Sequence, residues 1–137
     1  MRNILFGTAA LLALGTGLAH AQIKIGMAGP LTGSNAAFGV QMKTGFDLAI
    51  SDINKAGGVL GKQLVPVPVD DACDPKQAVS AANTLVSDGV VMVDGHFCSA
   101  SSIPASKVYE DAGILEISPA STNPAYTCLL YTSPSPR

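Results

Sequence analysis

The residues best placed for chemistry lie where apolar runs give way to short polar loops. Gly95-His96-Phe97-Cys98-Ser99-Ala100-Ser101-Ser102 follows one such run and leads into a helical pattern. Small hydroxyl residues at a helix N-terminus leave backbone N–H groups near the positive end of the helix dipole, a site that holds a carboxylate or phosphate. The same serines also act as plain caps with no ligand. Ser118-Pro119-Ala120-Ser121-Thr122 follows the next apolar run. Its carbonyls and hydroxyls can accept from an ammonium group, or simply close a turn. One loop suited to an anion beside one suited to a cation fits a zwitterion, and the pairing says more than either loop alone.

Other groupings carry weaker signals. Asp70-Asp71 stands at a strand end, as paired acids do in the metal and phosphoacceptor pocket of receiver domains. With Asp74, His96 and Cys98 it admits a metal cluster, although capping and solvation explain the acids equally well. The second histidine, His20, lies in the N-terminal apolar segment, and no G-x-S-x-G, G-x-G-x-x-G or H-E-x-x-H pattern appears. An enzymatic reading therefore rests on His96 as a general base, with no nucleophile tied to it by spacing. No enzymatic activity, metal or organic cofactor is expected.

These loops need elements to carry them. Ile23 to Ala28 reads as a buried strand stopped by Gly29-Pro30, and Leu31 to Ala37 as a loop. Phe38, Met42, Phe46, Ile50 and Ile53 form one helical apolar stripe that ends at Gly57-Gly58. Gln63 to Val69 alternates, with Val65, Val67 and Val69 on one face. Pro66 and Pro68 cannot donate to a ladder, so this is an edge strand. Asp74-Pro75 opens a helix with a good N-cap and a proline at N1. Ala78, Ala82, Leu85 and Val86 give that helix its apolar face, and Asp88-Gly89 closes it. Val90 to Val93 reads as a strand covered on both faces. Ser99 to Asp111 is a helix with Pro104 in its first turn, and Ile114 to Ile117 is the last strand. Alternation of strands and helices across short connections predicts an α/β doubly wound parallel sheet. In such sheets ligands bind beyond the carboxyl ends of the strands, where both loops fall.

The two ends are set apart. Arg2, the uncharged run Ile4 to Leu18 and Ala19-His20-Ala21 make a secretory signal peptide over residues 1–21, with cleavage before Gln22. Cys128 to Arg137, CLLYTSPSPR, matches residue for residue the translation of a transposase adapter used in sequencing libraries. It is expected to be foreign to the protein, which makes residues 22–127 part of a longer natural chain. Setting Cys128 aside leaves Cys73 and Cys98. In an oxidising compartment an even pair is most simply a disulfide, with a reactive thiol as the rival reading. The formal net charge is −2, and no basic cluster marks a nucleic-acid surface.

Asp70–Val79 (DDACDPKQAV), Asp94–Ser106 (DGHFCSASSIPAS), Tyr109–Leu115 (YEDAGIL) and Ile117–Thr122 (ISPAST) closely resemble the leucine/isoleucine/valine-binding proteins of Gram-negative periplasms. The resemblance runs from about Ile23 to Thr127. It implies a two-lobed type I periplasmic-binding fold that closes on a free amino acid, of which this chain holds part of the N-terminal lobe. It implies a bonded Cys73–Cys98 pair and places Ser99 on the ligand carboxylate. The Ala120 carbonyl and Thr122 go to the ammonium and carboxylate groups, and Phe38 packs on the ligand side chain. Ser121 stands where alanine is frequent in the family, and Phe38 lacks a tyrosine hydroxyl. Expected partners are leucine, isoleucine or valine and the permease subunits of an ABC importer, with a monomer as the expected state. The same fold also serves as the extracellular sensor domain of signalling receptors, which is the alternative reading.

Overall fold

The computed structural model of the protein describes residues 22–128. The expected signal peptide and residues 129–137 of the expected adapter tail lie outside them. The elements run β1 (Ile23–Gly29), α1 (Ala36–Lys55), β2 (Leu64–Asp70), α2 (Pro75–Asp88), β3 (Met92–Gly95), α3 (Ser99–Ala112), β4 (Leu115–Ile117) and α4 (Ala125–Cys128). The strands form one sheet in the order β2-β1-β3-β4, and every pairing is parallel. Strands β1 and β3 are central. The proline-bearing β2 lies at an edge, where a missing N–H leaves no ladder bond unmade.

Two apolar clusters hold the layers together. On one face Met27 and Leu64 pack with Phe46 and Ile50 of α1. On the other, Ala28, Val90 and Val93 pack with Ala78, Ala82 and Leu85 of α2 and with Ala105 and Tyr109 of α3. The helices come close because the strand is small there. A Cβ on Gly26 would lie 3.1 Å from both Leu85 and Val93 side chains. At the end of β3 the constraint is stricter: Gly95 has φ +147°, and a Cβ would sit 2.2 Å from the Ala28 carbonyl oxygen. Glycine is required there on both counts.

The structure corrects four details of the sequence reading. The predicted strand over Val90–Val93 begins at Met92, and Val91 is 58 % exposed rather than covered. Gly89 ends α2 in the left-handed conformation and Val90 folds back to donate to the Leu85 carbonyl, so the chain joins the sheet two residues late. The α1 stripe is buried at Phe46 and Ile50, while Phe38 and Ile53 at its ends overhang the sheet and stay exposed. The helix starts at Ser99 as expected, after extended Cys98 at the N-cap, so Pro104 is its sixth residue and lies in the second turn of α3 rather than the first. The carbonyl that Pro104 deprives of its donor belongs to Ala100, which is exposed and open to water. Finally, α4 follows the last loop and was not anticipated.

Coverage of the sheet is uneven. Ile23, Ile25, Ile53, Val91, Met92 and Ile117 line an apolar hollow of about 620 Å³ between α1 and the sheet, reaching from β1 across β3 to β4. No helix among the described residues is long and apolar enough to cross a membrane.

Candidate functional site

All strands point the same way, so four loops gather at one end of the sheet. In spatial order these are β2–α2 (residues 71–74), β1–α1 (30–35), β3–α3 (96–98) and β4–α4 (118–124). Asp70 joins the first two. Its Oδ1 accepts from the N–H groups of Leu31 (2.8 Å), Thr32 (3.2 Å) and Ala72 (2.9 Å), and its Oδ2 from the Thr32 hydroxyl. Burial works to raise its pKa, but the hydroxyl and the three N–H donors together outweigh it and hold the carboxyl below its ordinary value. Asp74 is spent on a helix: its carboxylate accepts from the N–H groups of Lys76 and Gln77, capping α2. Cys73 and Cys98 form a disulfide with Cα atoms 5.5 Å apart, tying β2–α2 to β3–α3. The acids considered for a metal cluster are thus committed to other partners.

The N-terminus of α3 is built differently. Cys98 occupies the N-cap in an extended conformation and supplies no side-chain cap. A helix end of this kind presents N–H groups and the positive end of its dipole to whatever lies in front. Half-buried Ser99 stands at the first position, and its hydroxyl accepts from the Asn123 N–H at 3.3 Å. That bond brings the β4–α4 loop up to the helix entrance. The two loops read from sequence as an anion site and a cation site are therefore neighbours in space. Within the second loop, Ala120 and Thr122 are exposed. Ser121 is half-buried and engaged with the protein. Its hydroxyl lies 2.6 Å from that of Ser102 and within 3.3 Å of the His96 carbonyl.

An apolar wall flanks this entrance. Phe38, in the first turn of α1, stacks on Phe97 with centroids 5.0 Å apart and planes 16° from parallel. Phe38 is 48 % exposed, so one side of the stack remains open. Phe97 was not singled out from the sequence. Its signal was its place between His96 and Cys98 in a chain with few aromatics.

Beneath the entrance lies a polar cluster. His96 and Asp71 are fully buried, with Nδ1 2.6 Å from Asp71 Oδ2 and Nε2 3.1 Å from the Tyr109 hydroxyl. Both ring nitrogens are thereby occupied within the fold. The His96 N–H donates to Glu116 Oε1 at 3.3 Å. Burial pushes Glu116 up to about 7, against the opposing pull of that N–H and of the nearby Tyr126 hydroxyl. Its other oxygen, Oε2, is buried without a hydrogen-bond partner. Burial likewise raises Tyr109 above its ordinary range, reinforced by the charges of Glu116 and Asp71.

A small parallel α/β unit with an uncapped helix end, a facing hydroxyl loop and an aromatic stack offers groups that suit a small solute with a charged end. Residues 22–136 match the periplasmic binding protein family. The chain belongs to that family, which implies a periplasmic location. It is 56% identical over 110 residues to an amino acid binding protein of Pseudomonas aeruginosa, covering 80% of this chain and 29% of the relative. Over 109 residues it is 54% identical to the leucine-, isoleucine-, valine-, threonine- and alanine-binding protein of the same organism, again covering 80% and 29%. The branched-chain amino acid transporter substrate binding protein of Streptococcus pneumoniae, solved in complex with isoleucine, superposes with a TM-score of 0.75. It shares 35% identity, over 78% of this chain and 31% of that one. The chain thus spans less than a third of the length of these relatives.

Proposed function

We propose that the chain is the N-terminal part of a periplasmic solute-binding protein that captures leucine, isoleucine or valine for an ABC importer. The observation that carries this reading is the open N-terminus of α3 facing the β4–α4 loop across the Ser99–Asn123 hydrogen bond. The helix end and the Ser99 hydroxyl would take the ligand carboxylate. The Ala120 carbonyl and the Thr122 hydroxyl would take the ammonium group, with Thr122 also reaching the carboxylate. The Phe38–Phe97 stack would receive a branched aliphatic side chain, and Ser121 would brace the loop from behind. The names of the Pseudomonas and Streptococcus relatives support this ligand class.

In this reading residues 1–21 are a cleaved signal peptide and the protein works as a monomer that hands its ligand to the permease subunits. The relatives are more than three times as long as the matched segment, and in this reading the natural protein likewise carries a second lobe that adds further contacts. The apolar hollow between α1 and the sheet is consistent with further chain covering it, since parallel sheets are ordinarily covered on both faces. Sequencing the gene across codon 127, from DNA prepared without transposase adapters, tests the tail.

Isothermal titration of the protein carrying its second lobe tests the function. Leucine, isoleucine and valine should bind at micromolar Kd or tighter, and glutamate and lysine should not. Silence towards all three branched-chain acids would refute the assignment.

A further inference from the structure

The β2–α2 and β3–α3 loops are joined twice. Cys73–Cys98 is the covalent link, and Asp71–His96 is a second link two residues earlier on each loop. Each spans 25 residues, so they are successive rungs between the same two segments. The Asp71–His96 rung is wholly buried. His96 Nδ1 is placed to donate to Asp71 Oδ2, while Nε2 meets the Tyr109 hydroxyl. Asp71 Oδ1 also accepts from the Cys73 N–H at 2.9 Å, so this carboxylate shapes the loop that carries one half of the disulfide.

The other side of His96 faces the binding loops. Its carbonyl oxygen accepts from the Ser118 hydroxyl (2.6 Å) and lies within hydrogen-bonding distance of the hydroxyls of Ser102 (3.1 Å) and Ser121 (3.3 Å), which share their two protons between that oxygen and each other. Ser118 in turn accepts from the Ser121 N–H at 2.9 Å, closing the turn that presents Ala120. Ser102 belongs to α3, whose N-terminus is the carboxylate site of the proposed function. Ser118 and Ser121 belong to the loop that is its ammonium site. One carbonyl thus gathers both halves of a zwitterion site, and none of these contacts passes through the disulfide.

We propose that His96 is a positioning residue for the ligand site. Its ring, locked by Asp71 and Tyr109, holds its carbonyl where both binding loops converge, and maintains that geometry whether or not Cys73–Cys98 is formed. A disulfide acts mainly by restricting the unfolded chain, whereas a buried charge-assisted hydrogen bond is directional in the native state. The consequence for ligand affinity rests on the amino-acid-binding reading; the consequence for loop order does not.

The test compares the parent protein, carrying its second lobe, with His96→Ala and His96→Asn, each oxidised and reduced. Leucine titration is run well below every unfolding midpoint, and amide hydrogen exchange is followed across residues 95–102 and 118–122. The reduced parent should bind within about threefold of the oxidised one. Oxidised His96→Ala should lose about tenfold in affinity, with faster exchange in both segments. His96→Asn, whose Nδ2 can still donate to Asp71, should recover most of that loss. Reduction of His96→Ala should abolish binding. A purely structural role would lower the unfolding midpoint without these changes in the folded protein. Should His96→Ala fail to fold, Asp71→Asn should show the same affinity and exchange changes, because it weakens the rung but keeps an acceptor for the Cys73 N–H. Parent-like binding and exchange in oxidised His96→Ala, or loss of both on reduction of the parent, would overturn the proposal. A parent that binds no amino acid would sink the functional reading, and the exchange pattern would still decide whether His96 orders the loops.

Discussion

Helices α2 and α3 follow β2 and β3, the two strands that flank β1, and their entrances are stapled to each other by Cys73–Cys98, yet their first turns are finished in opposite ways. At α2, Asp74 turns its carboxylate back onto the N–H groups of Lys76 and Gln77, and Pro75 needs no acceptor. That entrance satisfies itself and carries its own negative charge, so it would repel a ligand carboxylate. At α3 the N-cap is a cysteine whose sulfur is bound in the disulfide, and no side chain caps the turn. A helix end left without an acidic cap can accept an external anion, whereas a self-capped end is complete as it stands. The contrast supports the roles proposed for them, α2 as scaffold and α3 as ligand site.

The largest effect should come from the staple shared by the two entrances. Replacing Cys73 and Cys98 with serine should lower stability by about 3–4 kcal/mol, measured by denaturant unfolding of oxidised parent and variant. If the bridge merely joins two independently stable entrances, the loss will be far smaller.

The next pair of variants divides the entrances by function. Ser99→Ala should weaken leucine binding about tenfold and leave the unfolding midpoint almost unchanged. Asp74→Ala should do the reverse, lowering stability by about 1 kcal/mol through loss of the α2 cap while ligand affinity holds. Titration and thermal unfolding on both proteins check the crossover. Equal effects on both properties in both variants would erase the distinction between scaffold and site.

The smallest effect concerns the acid beneath the α3 side. Glu116 keeps its proton in the folded protein up to about pH 7, above its ordinary value of 4.5. Between those values the folded state binds more protons than the unfolded one, so stability falls as pH rises and levels off above about 7. Glu116→Gln should flatten that slope and stabilise the protein at pH 8 by an amount on the order of 1 kcal/mol, after allowance for the partial exposure of the residue. Unfolding followed from pH 4 to pH 8 measures it.

How much of this was legible beforehand follows from the range of each interaction. The α2 entrance was readable in full, because Asp74, Pro75 and the N–H groups they serve are neighbours in the chain. The edge position of β2 was readable because the missing N–H groups of Pro66 and Pro68 belong to the strand itself. The loops bearing Ser99 and Thr122 were placed correctly at one end of the sheet, since alternating strands and helices admit few parallel arrangements. Which hydroxyls turn inward was not legible. Ser121 and Thr122 are adjacent and chemically alike, yet one is bonded to Ser102 and the other is exposed. Likewise Asp71 and His96 read as a possible metal cluster or a lone base, with nothing local to show that they face each other.

The sequence by itself determined the order of β1 to β4 and α1 to α3, the cap that starts α2 and the location of the two loops. All of these rest on periodicity or on bonds within a few residues. Tertiary structure alone decided that β1 inserts between β2 and β3, that Phe97 joins Phe38, and that Asp71, His96 and Tyr109 share one buried cluster. Those pairings form between segments far apart in the chain. They depend on which strands are neighbours and which faces the helices cover, and no local pattern of residues encodes either.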